Sequence, residues 1–599
     1  MKILFFVFCT SQIFADLIHP PNGSIINYIH VRFEWDKVEG ITKYHFELSN
    51  SNNFSSNYLL VTDSYYIEKN DIEWQNTYYW RVRSVNNGSF GEWVSSSFSV
   101  DANSESFLND DKPIEILINN DNLVSDGVVI FGSYYNNYTA VIDLNGREIW
   151  NSGGPNTHVF FNLDEYNNFL GGKFIPEYNN SLIGCEFSID NNLIWSEPFN
   201  SDQSQNEPFI QHEVIKLPNG NYMGFVPVIE EHLIPTYIDF IDRDTPFSWE
   251  DDCALYIDNN SSYRWKGEQI VEWDKNTGEV IWVWDVFDYY SKDDFDYLTG
   301  EWEKACNSDN AYDWIHFNAL AYSDKENAVY VSSRHLHRIT KIDYNTKNII
   351  YNLGIPWLSN DPIIMPDTLF SGQHGLQILN NGNIVTLDNG ILSQYTNPNI
   401  TSPITRAIEL EISEIEGEMS ANTVWSHTLP YDLYGALSGN VQKLNNDNYL
   451  INTIGNSSGA YSIEVTQNKE VVWKCKYNLG NYQTGPLYRA MKIPSLYSDD
   501  QSTLNFSNFS IPKNINLKSV YPNPFNPNLN IEYKISELME VIFIIYDVKG
   551  IRVDEINLGY QHPGYYKHIW NGNNLSSGVY FLGISSKPKQ VMKKMVLLK

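Results

Sequence analysis

The stretch SGQHGLQILNNGNIVTLDNG, residues 371–390, decides the reading of the fold. His374 opens an alternating run, a turn Asn380-Asn381-Gly382-Asn383 follows, and Ile384, Val385 and Leu387 lead into Asp388-Asn389-Gly390. Two period-two strands around a turn of residues that tolerate positive φ predict a β-hairpin. QHEVIKLPNGNYMGF (211–225) repeats the pattern, and His212 and His374 both stand five residues before a Leu (Leu217, Leu379) and eight before a Gly (Gly220, Gly382). NTHVFFNLDEYNNFLGG (156–172) places His158 five residues before Leu163, and IHFNALAYSDKENAVYVSSR (315–334) places His316 before a longer turn. SGNVQKLNNDNYLINTIG (438–455) keeps the hairpin without histidine, and VVIFGSYYNNYTAVIDLNG (128–146) reads as a degenerate sixth copy.

Each copy is followed by a second pair of strands that ends on an aromatic residue: Trp150, Trp195, Trp282, Tyr351, Trp425 and Trp473. Six rounds of four short strands, with no helical periodicity between them, predict an all-β chain built on a six-bladed β-propeller over 125–497. The longest insertion, 230–312, is rich in Asp, Tyr and Trp and reads as a solvated loop or as an aromatic cap over the channel mouth.

The flanks hold further modules. Residues 1–15, MKILFFVFCTSQIFA, combine a Lys, an apolar run and a small residue in the manner of a signal peptide, and the run is too short to span a bilayer. Phe8 before Cys9 argues against a lipoprotein. Residues 16–101, with Trp35, Tyr44, Trp80 and Trp93 on alternating strands, resemble a fibronectin type III β-sandwich. The polar segments 102–124 and 498–512 read as linkers, and 513–599 as a small β-sandwich.

With 40 Lys+Arg against 73 Asp+Glu the chain carries a net charge of −33, which argues against nucleic acid as a partner. No later stretch is apolar enough for an integral membrane segment in the mature chain. Export leaves Cys185, Cys253, Cys306 and Cys475, of which Cys253 and Cys306 flank one blade and are candidates to pair.

Residues at equal positions of inner strands converge on a propeller axis, so His158, His212, His316 and His374 are expected together. Arg334, at the far end of the hairpin that follows His316, adds forked donors suited to sulfate or phosphate oxygens. Glu213 apart, no carboxylate is read beside the four histidine motifs as completing a metal shell. There is no P-loop, no dinucleotide glycine fingerprint and no G-x-S-x-G elbow.

These residues carry a resemblance. QHEVIKLPNGN with His212, DWIHFN with His316 and Asn318, SSR with Arg334, QHGLQILNNGNIVTLDNG with His374, TRAIELEI with Arg406 and the closing YRAMKIPSLY make 125–497 similar to the bacterial aryl-sulfate sulfotransferases. His212 and His316 stand 104 residues apart and His316 and Arg334 18 apart, as that family leads one to expect, whereas the 40 residues from Arg334 to His374 look shortened. A cysteine pair found ahead of the nucleophile in some members is missing. The resemblance implies a double displacement without cofactor or metal. His374 takes the sulfuryl group from a phenolic sulfate as sulfohistidine, Arg334 and His212 hold its oxygens with Asn318 assisting, and His316 moves the proton to the leaving phenol and from the acceptor phenol. It assigns no role to His158.

Tyr521-Pro522-Asn523-Pro524-Phe525-Asn526-Pro527, Trp570-Asn571-Gly572, Ser577-Gly578-Val579-Tyr580 and the basic end Lys593–Lys599 resemble the C-terminal sorting domain of the type IX secretion system. That implies the secretion machinery as partner, passage through periplasm and outer membrane, and a cell-surface or secreted product. Two other readings stay open on the residues alone: a surface adhesin or glycan-binding propeller, and a four-histidine iron oxygenase, against which the cationic Arg334 speaks.

Overall fold

The computed structural model of the protein describes residues 16–599, apart from 103–112, 176–180, 199–210, 234–261, 300–310, 479–486, 498–514 and gaps of at most four residues. The signal segment 1–15, the second linker, Cys253, Cys306 and about half of the proposed cap therefore lie outside the described residues. The chain divides into Ala102–Asn508 on one side and Met1–Asp101 with Phe509–Lys599 on the other.

Within Ala102–Asn508 the described strands form six sheets of four antiparallel strands, three of them extended by a fifth. Their innermost strands are β1 (His158–Leu163), β2 (Gln211–Lys216), β3 (Phe317–Ser323), β4 (His374–Ile378), β5 (Asn440–Lys443) and β6 (Leu487–Ile493). Each touches the next, and β6 touches β1, so the inner strands close a ring: a propeller.

The segment 128–146 is not an inner hairpin, which is why it looked degenerate. Val128–Ser133 is the second strand of its sheet, and the inner place is taken by β6 from the other end of the chain, Val128 facing Ile493 and Gly132 facing Arg489. Part of the stretch read as a linker, 102–124, is also a strand. Ile114–Asn119 pairs with Val471–Tyr477, because Ile114 and Ile116 alternate onto the core that holds Trp473 and Tyr477. Residues 262–285, inside the presumed insertion, are likewise the two outer strands of the β2 sheet.

The repeated turn residues have one geometry. Leu217 and Leu379 donate their N–H to Asn221 and Asn383, and the αL position is filled by Gly220 (φ +85°) and Gly382 (φ +91°). The repeated outer aromatics join neighbouring sheets: the indole N–H of Trp282, Trp425 and Trp473 donates to the carbonyls of Tyr344, Gln467 and Leu144 in the next sheet, at 2.8, 3.0 and 2.9 Å. Lysines near the ends of β2, β5 and β6 reach back one sheet, Lys216 to Glu186 (2.9 Å), Lys443 to Glu409 (2.9 Å) and Lys492 to Glu464 (2.7 Å).

Residues 16–101 pack two sheets around Phe33, Trp35, Tyr44, Phe46, Trp80 and Phe98, the aromatic core expected of the sandwich. In the C-terminal segment a three-stranded and a four-stranded sheet enclose Phe525, Trp570 and Leu597. Here the YPNPFNP motif has a physical role. Asn523 bonds the backbone of Lys594 and Val596, and Phe525 exchanges backbone bonds with Val596 and Leu598, so the motif fastens the last strand (Lys589–Leu597).

Candidate active site

At one end of the inner strands the ladder is broken on purpose. In β2 and β4 a bulge falls right at the histidine, and in β3 one residue beyond it. His212 (φ +64°) and His316 (φ +54°) are left-handed, and in β4 this conformation passes to Gly375 (φ +70°). Non-glycine residues held there mark a re-aimed chain. The rings of His212 and His316 stand 4.7 Å apart, and those of His316 and His335 4.8 Å. His374 is close enough for its charge, with that of His316, to bear on His212, and Arg334 bears on His374 in turn.

His158 is not among them. It pairs regularly with Lys173, and the bulge of β1 comes only between Phe160 and Asn162. Its ring therefore lies inside the sheet packing, stacked on Phe187 at 4.5 Å with Nδ1 on Thr139 at 3.1 Å, and burial pushes its pKa down to about 4.

The tautomer of His374 follows from its partners. Nδ1 faces two oxygens, the Gly372 carbonyl (2.9 Å) and Asn389 Oδ1 (2.8 Å). The Asn389 amide is fixed the right way round because its Nδ2 donates to the carbonyls of Gly435 (2.7 Å) and Ser438 (3.0 Å). Nδ1 must then carry the hydrogen, and Nε2 is the acceptor, taking the Ser438 N–H at 3.3 Å. Burial, helped by the Arg334 charge, lowers the pKa of His374 to about 3, so the ring is neutral.

Arg334 is 7 % exposed and its Nη1 donates to His335 Nε2 at 2.5 Å, while His335 Nδ1 donates to the Asp313 carbonyl at 2.6 Å. His335 is thus a neutral support for the guanidinium, its pKa held well down by burial. The Tyr488 hydroxyl of β6 donates to the His212 carbonyl at 2.8 Å. Asn318 is fully buried and donates to the Gln373 carbonyl at 2.7 Å, bracing the residue before His374. Glu213 turns away to pair with Arg489, and burial lifts its pKa to about 7. Arg406 clamps Asp388 at 2.5 Å.

A carboxylate does stand beside the histidines, contrary to the reading above: Asp313 Oδ2 lies 2.7 Å from His316 Nδ1. Asp313, His316 and His335 gather three metal-type ligand atoms within 4.8 Å. Both nitrogens of His335 are already hydrogen-bonded, and Arg334 and Lys266 bring positive charge, so the donor set fits a hydrogen-bonded network better than a cation. Asp313, His335, Asn389, Ser438 and Tyr488 were missed in the sequence, although Asp313 sits one helical turn's length before His316 in DWIHFN and His335 directly follows Arg334.

The site gathers three imidazoles and one guanidinium at one end of the inner strands, with a further imidazole, His335, behind the guanidinium. Residues 246–489 match the Arylsulfotransferase (ASST) family model, and residues 519–598 match the Secretion system C-terminal sorting domain. The chain thus carries a stretch that matches the arylsulfotransferase family, which supports a sulfotransferase enzyme, and its sorting domain directs it to the cell surface or to secretion. No helix among the described residues is long and apolar enough to cross a membrane. No curated protein matches. Among solved structures, one called FN3tt is 22 % identical, covering 14 % of this chain and 95 % of its own with a TM-score of 0.13. PorZ, a surface component of the type IX secretion system of Porphyromonas gingivalis, is 11 % identical over 98 % of this chain and 70 % of its own, TM-score 0.25. A putative 6-phosphogluconolactonase from Bacteroides uniformis is 10 % identical over 74 % and 100 %, TM-score 0.30. Likenesses of this size carry no functional implication.

Proposed function

We propose that the protein moves a sulfuryl group from a phenolic sulfate ester to a phenol through a sulfohistidine on His374. The observation that carries this reading is the neutral His374 ring with Nδ1–H tied to two oxygens, which leaves Nε2 unprotonated and met only by the Ser438 N–H at 3.3 Å among the described residues. In the first half-reaction the Nε2–S bond forms as the S–O(aryl) bond breaks, and the phenolate oxygen takes a proton from His316. In the second the acceptor phenol returns a proton to His316 as its oxygen displaces Nε2 from sulfur.

Charge spreads over three sulfuryl oxygens in the transition state, so fixed donors supply most of the acceleration. Arg334, steadied by His335, and His212, backed by Tyr488, are placed to supply them. Asn318 acts from behind, through Gln373.

The test is a chromogenic aryl sulfate without acceptor. Wild type should release a burst of about one phenol per site, and mass spectrometry should find one SO₃ on the peptide holding His374, lost when phenol is added. His374→Ala should abolish both. A label on His212 would keep the reaction and sink this assignment, and turnover without any label would mean direct transfer.

A further inference from the structure

We propose that Asp313 is a positioning residue of the transfer, holding His316 in the one tautomer that turns Nε2 to the phenolic oxygen and, through His335, steadying the guanidinium that grips the sulfuryl group. The proposal rests on the sulfuryl-transfer reading above.

Asp313 is fixed before any side chain is considered. Tyr312–Asp313 is a short strand paired in parallel with Trp265–Lys266, and the fully buried rings of Tyr312 and Trp314 anchor it on both sides. From that place one residue offers two acceptors. Its carboxylate takes the Nδ1–H of His316 at 2.7 Å, and its backbone carbonyl takes the Nδ1–H of His335 at 2.6 Å. Both rings are thereby turned with Nε2 away from Asp313. In His335 that nitrogen accepts from Arg334, and in His316, whose side chain is 24 % exposed, it belongs to the ring facing His212.

An ionised carboxylate only accepts, so the bond to His316 fixes the tautomer as long as Asp313 keeps its charge. Burial works against that charge, but the His316 hydrogen bond and the charges of His316 and Lys266, whose Nζ is 4.0 Å from Oδ1, outweigh it and hold the carboxyl well below the usual range. The neighbouring acid on the Lys266 strand, Glu268, goes the other way, raised to about 8 by burial and by the Asp313 charge. One negative charge is thus concentrated at the atom that faces His316. When Nε2 carries the proton meant for the leaving phenolate, Asp313 balances the imidazolium. When Nε2 has given it up, the same bond keeps the lone pair aimed at the acceptor O–H.

A residue that acts through proton transfer matters most where the leaving group most needs the proton. The experiment is therefore a burst measurement with a series of aryl sulfates, from 4-nitrophenyl sulfate to unsubstituted phenyl sulfate, on wild type, Asp313→Asn, Asp313→Glu and His316→Ala, each with its melting temperature. Asp313→Asn should lose about 10²-fold or more with phenyl sulfate and less than about tenfold with 4-nitrophenyl sulfate, the range of general acid and supporting-residue effects. His316→Ala should show the same steepened dependence, combining the two changes should add little, and Asp313→Glu should recover part of the loss. An equal loss across all donors, or none, would overturn the proposal, as would an Asp313→Glu enzyme with an unaltered dependence beside an unfolded Asp313→Asn. Failure of the underlying reading looks different, because wild type would then turn over no member of the series.

Discussion

Replacing Arg334 separates what a positive charge does in the cleft from what a forked donor does. The guanidinium is 7 % exposed, donates to His335 Nε2 at 2.5 Å, and its charge is, after burial, the largest influence that lowers the pKa of His374. Arg334→Lys keeps the charge and loses the fork. One missing oxyanion donor costs about 2.7–4 kcal/mol of transition-state stabilisation, so kcat/KM should fall about 10²- to 10³-fold. Arg334→Gln loses the charge as well. A nearby cation disfavours the imidazolium, so its removal should raise the pKa of His374 from about 3 and bring an acid limb into the burst rate at higher pH. The Lys variant should keep the wild-type limb. Burst kinetics with a chromogenic aryl sulfate from about pH 2.5 to 8 read both effects. A Lys variant within about twofold of wild type would place Arg334 outside the anion site, and a Gln variant with an unmoved acid limb would refute the electrostatic part.

Lys492→Met strands Glu464, whose side chain is fully buried, and should cost about 3–5 kcal/mol in a denaturant melt, part of it recovered by also changing Glu464 to Gln. His158 has its pKa lowered to about 4 from 6.5, so its contribution to stability is complete above pH 6.5 and drains away as the unfolded chain takes the proton between there and pH 4. His158→Phe should remove about 2 kcal/mol of the stability lost between pH 7 and pH 5, read from melts at both values, and should leave the burst intact. Deletion beyond residue 513 should leave a folded, active enzyme that stays inside the cell envelope, and an inactive folded product would tie that domain to catalysis.

The hairpins were legible because a turn of Asn and Gly and a two-residue alternation are local signals. So were His212, His316, His374 and Arg334, which the structure gathers. Equal spacing misled for His158, since spacing sets register while the position of the bulge decides where a side chain points, and the bulge of β1 falls two residues too late. Asp313 and His335 were hidden among ordinary neighbours, and only the turn of the chain into β3 puts both against His316. Asn389 and Ser438 meet His374 from beyond its own strand, across contacts that no periodicity records.

The closing of the ring by β6 gives the catalyst a sense of time. β6 is the last strand of the propeller to be synthesised, yet it carries Tyr488, which holds the His212 backbone, and Arg489, which pairs with Glu213 and reaches the Asn318 carbonyl. Until that strand has crossed more than 350 residues of chain to lie against Val128–Ser133, the floor of the cleft has no keystone. Contacts of such long range form late and slowly. If the proposed transfer is right, a half-made chain, or one cut ahead of Leu487, should show no turnover.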